Sequence, residues 1–422
     1  MSPSESSAAR RNVLAGTVGS VLEWYDFALY GYLAPIIGTL FFPANDPVAS
    51  LLAAFGVFAI GFAARPVGSV IFGLIGDRIG RKPALIISVV MMGVATFAIG
   101  VMPDHAQIGA SAALVLVILR ILEGLSVGGE YTGSIILLAE HAPPERRGYF
   151  AVWPELGCLV GFLLGSGIGA LTSSALGPER MLAWGWRVPF LLGGVIAVGG
   201  IAFRRQMTES PALSRAAQRT GVPVVVAIAR HWRAILRLIG LMLMQSVGFY
   251  LMFIYAASYL TERMHVSTAR ALDINTLSLL VMLVLVVPSA RLSDGVGRKP
   301  VLYAVTVGMF ALAWPLWWLM LEGSFAAILA GQAGFAVLLG LAYGVTPALM
   351  SEMLPAEVRC TSVGLGYNLG LGIFGGTAPL IATYLVARTA DDFTPAYYVM
   401  MMAVVSFIAL LGLPETAGKP LA

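Results

Sequence analysis

Gly76-Asp77-Arg78-Ile79-Gly80-Arg81-Lys82-Pro83 returns in the second half of the chain as Ser293-Asp294-Gly295-Val296-Gly297-Arg298-Lys299-Pro300. Each copy is wedged between two long apolar stretches. A second quartet, Glu140, Pro143, Glu145 and Arg147, recurs at one constant spacing as Glu352, Pro355, Glu357 and Arg359. The chain is therefore a duplication. Because corresponding loops carry the same cations, the two halves take the same orientation in a membrane, as parallel repeats related by an axis along the membrane normal. Such halves rock around a central site.

The composition points to lipid. Hydrophobic residues make up 58% of the 422 and charged ones only 11%, and the mean hydropathy is +0.86, outside the soluble globular range. Crossing the hydrocarbon core takes about 20 apolar residues. Runs of that kind are read near 14–40, 50–75, 83–102, 109–136, 149–173 and 186–203, and again near 237–260, 272–290, 300–320, 325–349, 360–387 and 395–413. The expected fold is all-α: twelve transmembrane helices, six in an N-terminal half (1–203) and six in a C-terminal half (237–422). A polar, basic cytoplasmic linker (204–236) joins them, broken by Glu209-Ser210-Pro211 and Gly221-Val222-Pro223.

Cytoplasmic loops retain cations, and the 26 Lys and Arg are strongly biased. With both termini in the cytoplasm, only Arg180, Arg187, Arg263, Arg270 and Arg388 fall outside, and Arg65 and Arg120 fall within the membrane. The pI of about 9.1 thus reports topology rather than nucleic-acid binding. The first apolar run is too long for a cleaved leader and stays as the first helix. Two cysteines, Cys158 and Cys360, give no disulfide framework. His105, His141, His231 and His265 read as loop residues with no metal-ligand spacing. No nucleophile elbow or phosphate-binding Gly loop occurs. Nothing points to an enzyme, a metal or another cofactor, or to an obligate protein partner.

Ionisable groups at membrane depth cost about 2.5–3.5 kcal/mol each on insertion scales and mark function by default. Here they are Glu23, Asp26, Arg65, Arg120, Glu123, Glu130 and Glu155, all in the first half. Glu23, Asp26 and Tyr30 share one helix face at i, i+3, i+7. Two readings stand for the acids. They pin the first helix to Arg65 or Arg120 as buried ion pairs, or their proximity disfavours double ionisation and lets one exchange a proton. Arg120, Glu123 and Glu130 also share a face, where Gly124, Gly128 and Gly129 permit close packing. Arg65, near mid-helix, needs an anion from protein or substrate. The second half offers neutral groups: Gln245, Tyr250, Tyr255, Tyr343, Tyr367 and Asn368. Trp314, Trp317 and Trp318 are assigned to the interfacial aromatic belt.

The repeated Gly-Asp-Arg motif and its copy make the chain resemble the major facilitator superfamily over nearly its whole length. Glu23-Trp24-Tyr25-Asp26-Phe27, Arg65-Pro66-Val67-Gly68, Gly128-Gly129-Glu130-Tyr131 and Trp184-Gly185-Trp186-Arg187-Val188-Pro189-Phe190 resemble the metabolite:proton symporter family within it. Gly129-Glu130-Tyr131-Thr132-Gly133, Trp153-Pro154-Glu155-Leu156-Gly157 and the C-terminal Pro395–Met400 with Glu415-Thr416-Ala417 are most similar to its proline/glycine-betaine branch. That resemblance implies proton-coupled import of a small-molecule substrate through a bacterial inner membrane, in contact with membrane lipid. Proton coupling is expected from Glu23, Asp26, Glu123 and Glu130. Substrate contacts are expected from Tyr30, Arg65, Arg120, Tyr131, Trp153, Glu155, Gln245, Tyr250 and Asn368. An acid such as Glu155, with aromatic faces from Trp153, Tyr131 or Tyr250, suits a substrate cation, and Arg65 or Arg120 suits its carboxylate. Equally, Glu155 pairs with a neighbouring Arg. Asp77, Arg81 and Glu140, with their copies Asp294, Arg298 and Glu352, are implied to be cytoplasmic gate contacts. The long C-terminal coiled coil of some osmosensing members is not in this sequence. A di- or tricarboxylate symporter of the same fold is the main alternative. An exporter and a non-transporting membrane scaffold are the others.

Overall fold

The computed structural model describes residue 17 and residues 20–79, 81–127, 130–205, 224–356 and 358–421. Side chains are described throughout these except at 73–74, 76–79, 81, 130, 203–205 and 224–229. The gate side chains Asp77 and Arg81, the acid Glu130 and most of the expected linker therefore lie outside the described residues.

Twelve helical crossings follow in order. They are α1 (20–41, with a turn at Leu33), α2 (Pro47–Ile79), α3 (Arg81–Val101), α4 (Ser111–His141), α5 (Pro144–Gly185), α6 (Arg187–Arg205), α7 (Arg230–Glu262), α8 (Thr268–Val296), α9 (Arg298–Leu321), α10 (Phe325–Glu352), α11 (Arg359–Thr389) and α12 (Thr394–Leu411). Ten of them, all but α1 and α6, are long and apolar enough to cross a membrane. The shorter apolar stretch Arg187–Ala202 forms most of α6. There is no strand among the described residues.

A helix starts at Val224, just after Pro223, and runs into α7 with a kink at His231 (φ −116°, ψ 17°). Of the four histidines expected in loops, His105 begins a short helix, His141 ends α4 and His231 sits at this kink, and only His265 lies outside a helix. Arg230, Trp232 and Arg233 are exposed on the kinked helix.

Small residues bring the charged helices together. A Cβ at Gly161 of α5 would sit 2.6 Å from the Val21 carbonyl of α1, and one at Gly124 of α4 only 2.0 Å from the Gly61 carbonyl of α2. Only glycine allows either approach. Two crossings are interrupted near their middles by π-helical turns, Leu251–Tyr255 in α7 and Asn368–Gly375 in α11, a feature that often accompanies function. Trp317 leaves the aromatic belt to which its neighbours were assigned. Trp314 and Trp318, one turn apart, face outward, whereas Trp317 is turned inward, fully buried, and donates its indole N–H to the Asp392 carbonyl at 2.7 Å.

Candidate functional site

Three buried charges meet between α1, α3 and α4. Arg120 Nη1 lies 2.6 Å from Glu123 Oε2 and 3.2 Å from Asp26 Oδ2. From α3, the Thr96 hydroxyl stands 2.9 Å from Asp26 Oδ1 and 3.2 Å from Glu123 Oε1, so it bridges the two carboxylates. The guanidinium packs against the Phe27 and Tyr30 rings at 4.7 and 4.4 Å, a cation–π contact. Two carboxylates thus share one guanidinium, and with all three ionised the trio carries a net charge of −1 where water does not reach. Binding one proton makes it neutral. Tyr30 donates to the Ala54 carbonyl at 3.2 Å and serves as a wall of this trio.

The other acid of α1 goes elsewhere. Glu23 Oε1 pairs with Arg65 Nη2 of α2 at 2.8 Å. Both α1 acids are therefore ion-paired, and the acid that shares a cation with Asp26 is Glu123 rather than Glu23. Residues three apart on a helix point about 60° from each other and a turn apart in height, enough to send Glu23 and Asp26 to different helices. Arg65 keeps its Nε and Nη1 buried without a hydrogen-bond partner, under the Trp24 ring at 4.9 Å and beside Phe27 and Phe62. Unsatisfied buried donors of this kind call for an acceptor.

Trp24 also borders a cavity of about 10 Å³, room for about one water. Its wall is aromatic: Trp24, Phe162, Phe249, Tyr250, Tyr343 and Tyr367. The rings touch in sequence, Trp24 to Phe162 at 5.4 Å, Phe162 to Phe249 at 4.6 Å and Phe249 to Tyr343 at 5.7 Å. Glu155, in the first helical turn after Val152, is the wall's one carboxylate. It is 3% exposed and accepts a hydrogen bond from Tyr131. No Lys or Arg among the described residues forms an ion pair with it, so the expected alternative, a neighbouring Arg partner, is absent there. Two further wall groups, Trp24 Nε1 and the Tyr250 hydroxyl, are buried without partners. The wall therefore presents donors together with one acid that lacks a protein cation.

At one end of the bundle the halves are latched by ions. Glu352 is gripped by Arg298 of its own half through a two-bond fork (3.1 and 3.2 Å) and by Arg147 of the other half at 3.0 Å. Asp294 pairs with Arg298 at 2.8 Å and accepts the backbone N–H groups of Gly148 and Tyr149 at 2.8 and 3.0 Å. Glu140 of α4 meets Arg359 of α11 at 2.7 Å. The segment after α12 completes the latch. Thr416 donates to Glu352 at 2.5 Å, the Lys419 carbonyl accepts from Arg147 at 3.1 Å, and Glu415 accepts the N–H groups of Arg298 and Lys299, both at 2.9 Å. Burial pushes the Glu415 carboxyl up, but backbone N–H groups of Ala417, Arg298, Lys299 and Thr416 outweigh it and hold it below the usual carboxylate range. At the opposite end neutral groups join the halves: Ser166 of α5 donates to the Leu272 carbonyl and accepts from Asn275, both at 3.1 Å.

Not every expected substrate contact reaches the cavity. Trp153 packs on Tyr149 at 5.9 Å and does not line it; two residues from Glu155 on a helix, it points to the opposite side. Gln245 accepts from Thr346 at 2.8 Å, and Asn368 donates to the Gly364 carbonyl at 2.9 Å, so both are engaged within the C-terminal half. Trp24, Phe162, Phe249 and Cys158 line the cavity without having been expected there. Glu155, Cys158 and Phe162, at i, i+3 and i+7, form one helix face that could have been traced from Glu155. Thr96 was missed as well. Its signal was a hydroxyl in an apolar helix, a signal it shares with Ser88.

Comparison with known proteins bears on these features. The sequence family described as "Sugar (and other) transporter" matches residues 13–220 and again residues 214–422. The chain is 34% identical to the proline/betaine transporter of Salmonella typhimurium, covering 98% of this chain and 85% of that one. It is also 34% identical to the glycine betaine/proline/ectoine/pipecolic acid transporter OusA of Dickeya dadantii (98% and 84%), and 32% identical to the ectoine/proline transporter ProP of Corynebacterium glutamicum (97% and 85%). Among solved structures, the major facilitator superfamily proton:xylose symporter XylE bound to 6-bromo-6-deoxy-D-glucose superposes with a TM-score of 0.77 at 20% identity, covering 99% of this chain and 98% of that one.

Proposed function

Because this chain belongs to the sugar (and other) transporter family, a multi-pass membrane family with the major facilitator fold, we propose that it imports a small zwitterion such as proline or glycine betaine together with a proton. The observation that carries the reading is Glu155: a buried acid on an aromatic wall with no protein cation beside it. A substrate ammonium or trimethylammonium supplies that charge, and the rings of Trp24, Phe249 and Tyr250 attract it through their faces. The substrate carboxylate takes up the unpaired donors, Trp24 Nε1 and the Tyr250 hydroxyl on the wall and Arg65 Nε and Nη1 behind it. A dicarboxylate would meet Glu155 with like charge. The names of the relatives, which couple proline with betaine or ectoine, agree with this chemistry.

The proton is assigned to the trio of Asp26, Glu123 and Arg120, in which two buried carboxylates share one guanidinium and the formal sum is −1. Glu23 and Arg65 already balance each other. The halves, residues 1–203 and 237–422, rock about the cavity in the bacterial inner membrane, with both termini, the linker and the ionic latch on the cytoplasmic side. That orientation follows the cation bias. The cavity holds about one water, far less than proline, so the latch and the neutral Ser166–Asn275 contact describe a state closed at both ends. Substrate enters as one end parts.

A thermal-shift panel on the purified protein tests the substrate class. A ligand at 100 times its Kd stabilises by about 2.7 kcal/mol. Glycine betaine or proline should raise Tm and 2-oxoglutarate should not. The reverse pattern would move the assignment to the dicarboxylate symporters.

A further inference from the structure

We infer that Tyr131 ties cation binding to release of the cytoplasmic latch, by holding Glu155 in competition with the substrate cation. The inference rests on the zwitterion reading above. Tyr131 stands at the junction of three elements. Its hydroxyl donates to Glu155 of α5, and among the described residues this is the one hydrogen bond to that carboxylate. Its ring lies 4.7 Å from the ring of Tyr367 on α11, in the other half, and Tyr367 in turn lines the cavity. Farther along the same two helices, Glu140 and Arg359 form the ion pair of the latch at 2.7 Å. At 1.5 Å per residue the Tyr pair lies about 13 Å above that ion pair on both helices. α4 and α11 are thus joined by two rungs, one aromatic under the cavity and one ionic at the surface.

A carboxylate that accepts an O–H has part of its charge spoken for and its orientation fixed, and a hydrogen bond to an ionised group is among the stronger ones. A cation entering the cavity draws the Glu155 carboxylate toward itself and away from Tyr131. The phenol then loses the contact that holds its ring over Tyr367, and the upper rung can part. Tyr131 is a positioning residue in this account. It sits outside the cavity lining and acts through Glu155.

The sign of one affinity change tests this. Removing the hydroxyl in Tyr131→Phe keeps the ring and ends the competition, so glycine betaine should bind about 10-fold tighter by isothermal titration while its maximal uptake rate falls. Unchanged or weaker binding in Tyr131→Phe would overturn the inference, since a packing role gives no tightening and a direct substrate contact gives loss. If that variant is not recovered folded, Tyr131→Met, which also lacks a donor, carries the same test. Glu155→Gln separates the two readings. If it binds glycine betaine like the parent, the zwitterion reading fails. If it loses binding while Tyr131→Phe shows no tightening, only the Tyr131 inference fails.

Discussion

Glu155→Gln isolates the charge that the proposed site turns on. The amide has the volume of the carboxyl and can still accept the Tyr131 O–H, so the wall keeps its shape. What goes is the attraction between a carboxylate and a cation about 4 Å away, about 4 kcal/mol at an effective dielectric constant of about 20. The ring faces keep their share, about 0.5–2 kcal/mol, and the amide dipole recovers some of the rest. The expected net loss is about 2–3 kcal/mol, or about 30-fold to 150-fold in Kd. Glycine betaine and choline should lose alike, because both present the same trimethylammonium group. Fold stability should not fall, because an acid with no cationic partner is removed from a buried place. Isothermal titration gives the affinities, Trp24 fluorescence follows the cavity directly, and a thermal melt gives stability. Binding of glycine betaine within twofold of the parent, in a variant as stable as the parent, would refute the role of Glu155.

Other perturbations read other parts of the account. Asp26→Asn or Glu123→Gln makes the trio permanently neutral, so substrate counterflow should persist while uphill accumulation in proteoliposomes is lost; full accumulation in both variants would exclude the trio. Arg65→Gln alone removes the ion-pair partner of Glu23 and should destabilise by about 3–5 kcal/mol. The double change with Glu23→Gln should restore stability, weaken glycine betaine at least 10-fold and spare choline, which has no carboxylate; equal losses for the two ligands would remove Arg65 from carboxylate recognition. Asp294→Asn weakens the hold on the Gly148 and Tyr149 N–H groups. It should speed labelling of Cys158 by an impermeant thiol reagent from the cytoplasmic side, with the preference between proline and betaine unchanged; a changed preference would contradict the latch role.

The twelve apolar runs made the helix number legible, and the repeat in Gly76–Pro83 and Ser293–Pro300 showed that they form two halves. Spacing along one helix also found the Arg120–Glu123 pair. What the sequence hid was contact between helices. Glu23 and Asp26 share a face too coarsely to reveal that one turns to α2 and the other to α4. Trp153 looked like a cage wall because it adjoins Glu155 in sequence, yet residues two apart on a helix point in nearly opposite directions. Trp24, from α1, takes the wall instead. The fit of Thr416 and Glu415 into the latch joins residues far apart in the chain, and no local pattern announces it. Trp317 was hidden for a similar reason: at i+3 it shares a face with Trp314 and Trp318, and only its contact with the distant Asp392 carbonyl shows that it turns inward.

Coupled movement of one proton with one zwitterion transports a net charge of +1, and that is the central claim. At equal pH on both sides, a potassium-diffusion potential of 100 mV, negative inside, is worth about 2.3 kcal/mol per charge, about 50-fold accumulation. Proteoliposomes holding this protein should concentrate glycine betaine or proline by about that factor, and substitution of Asp26 by Asn should abolish it. Uptake that ignores the potential, with 2-oxoglutarate taken up in place of betaine, would contradict the account.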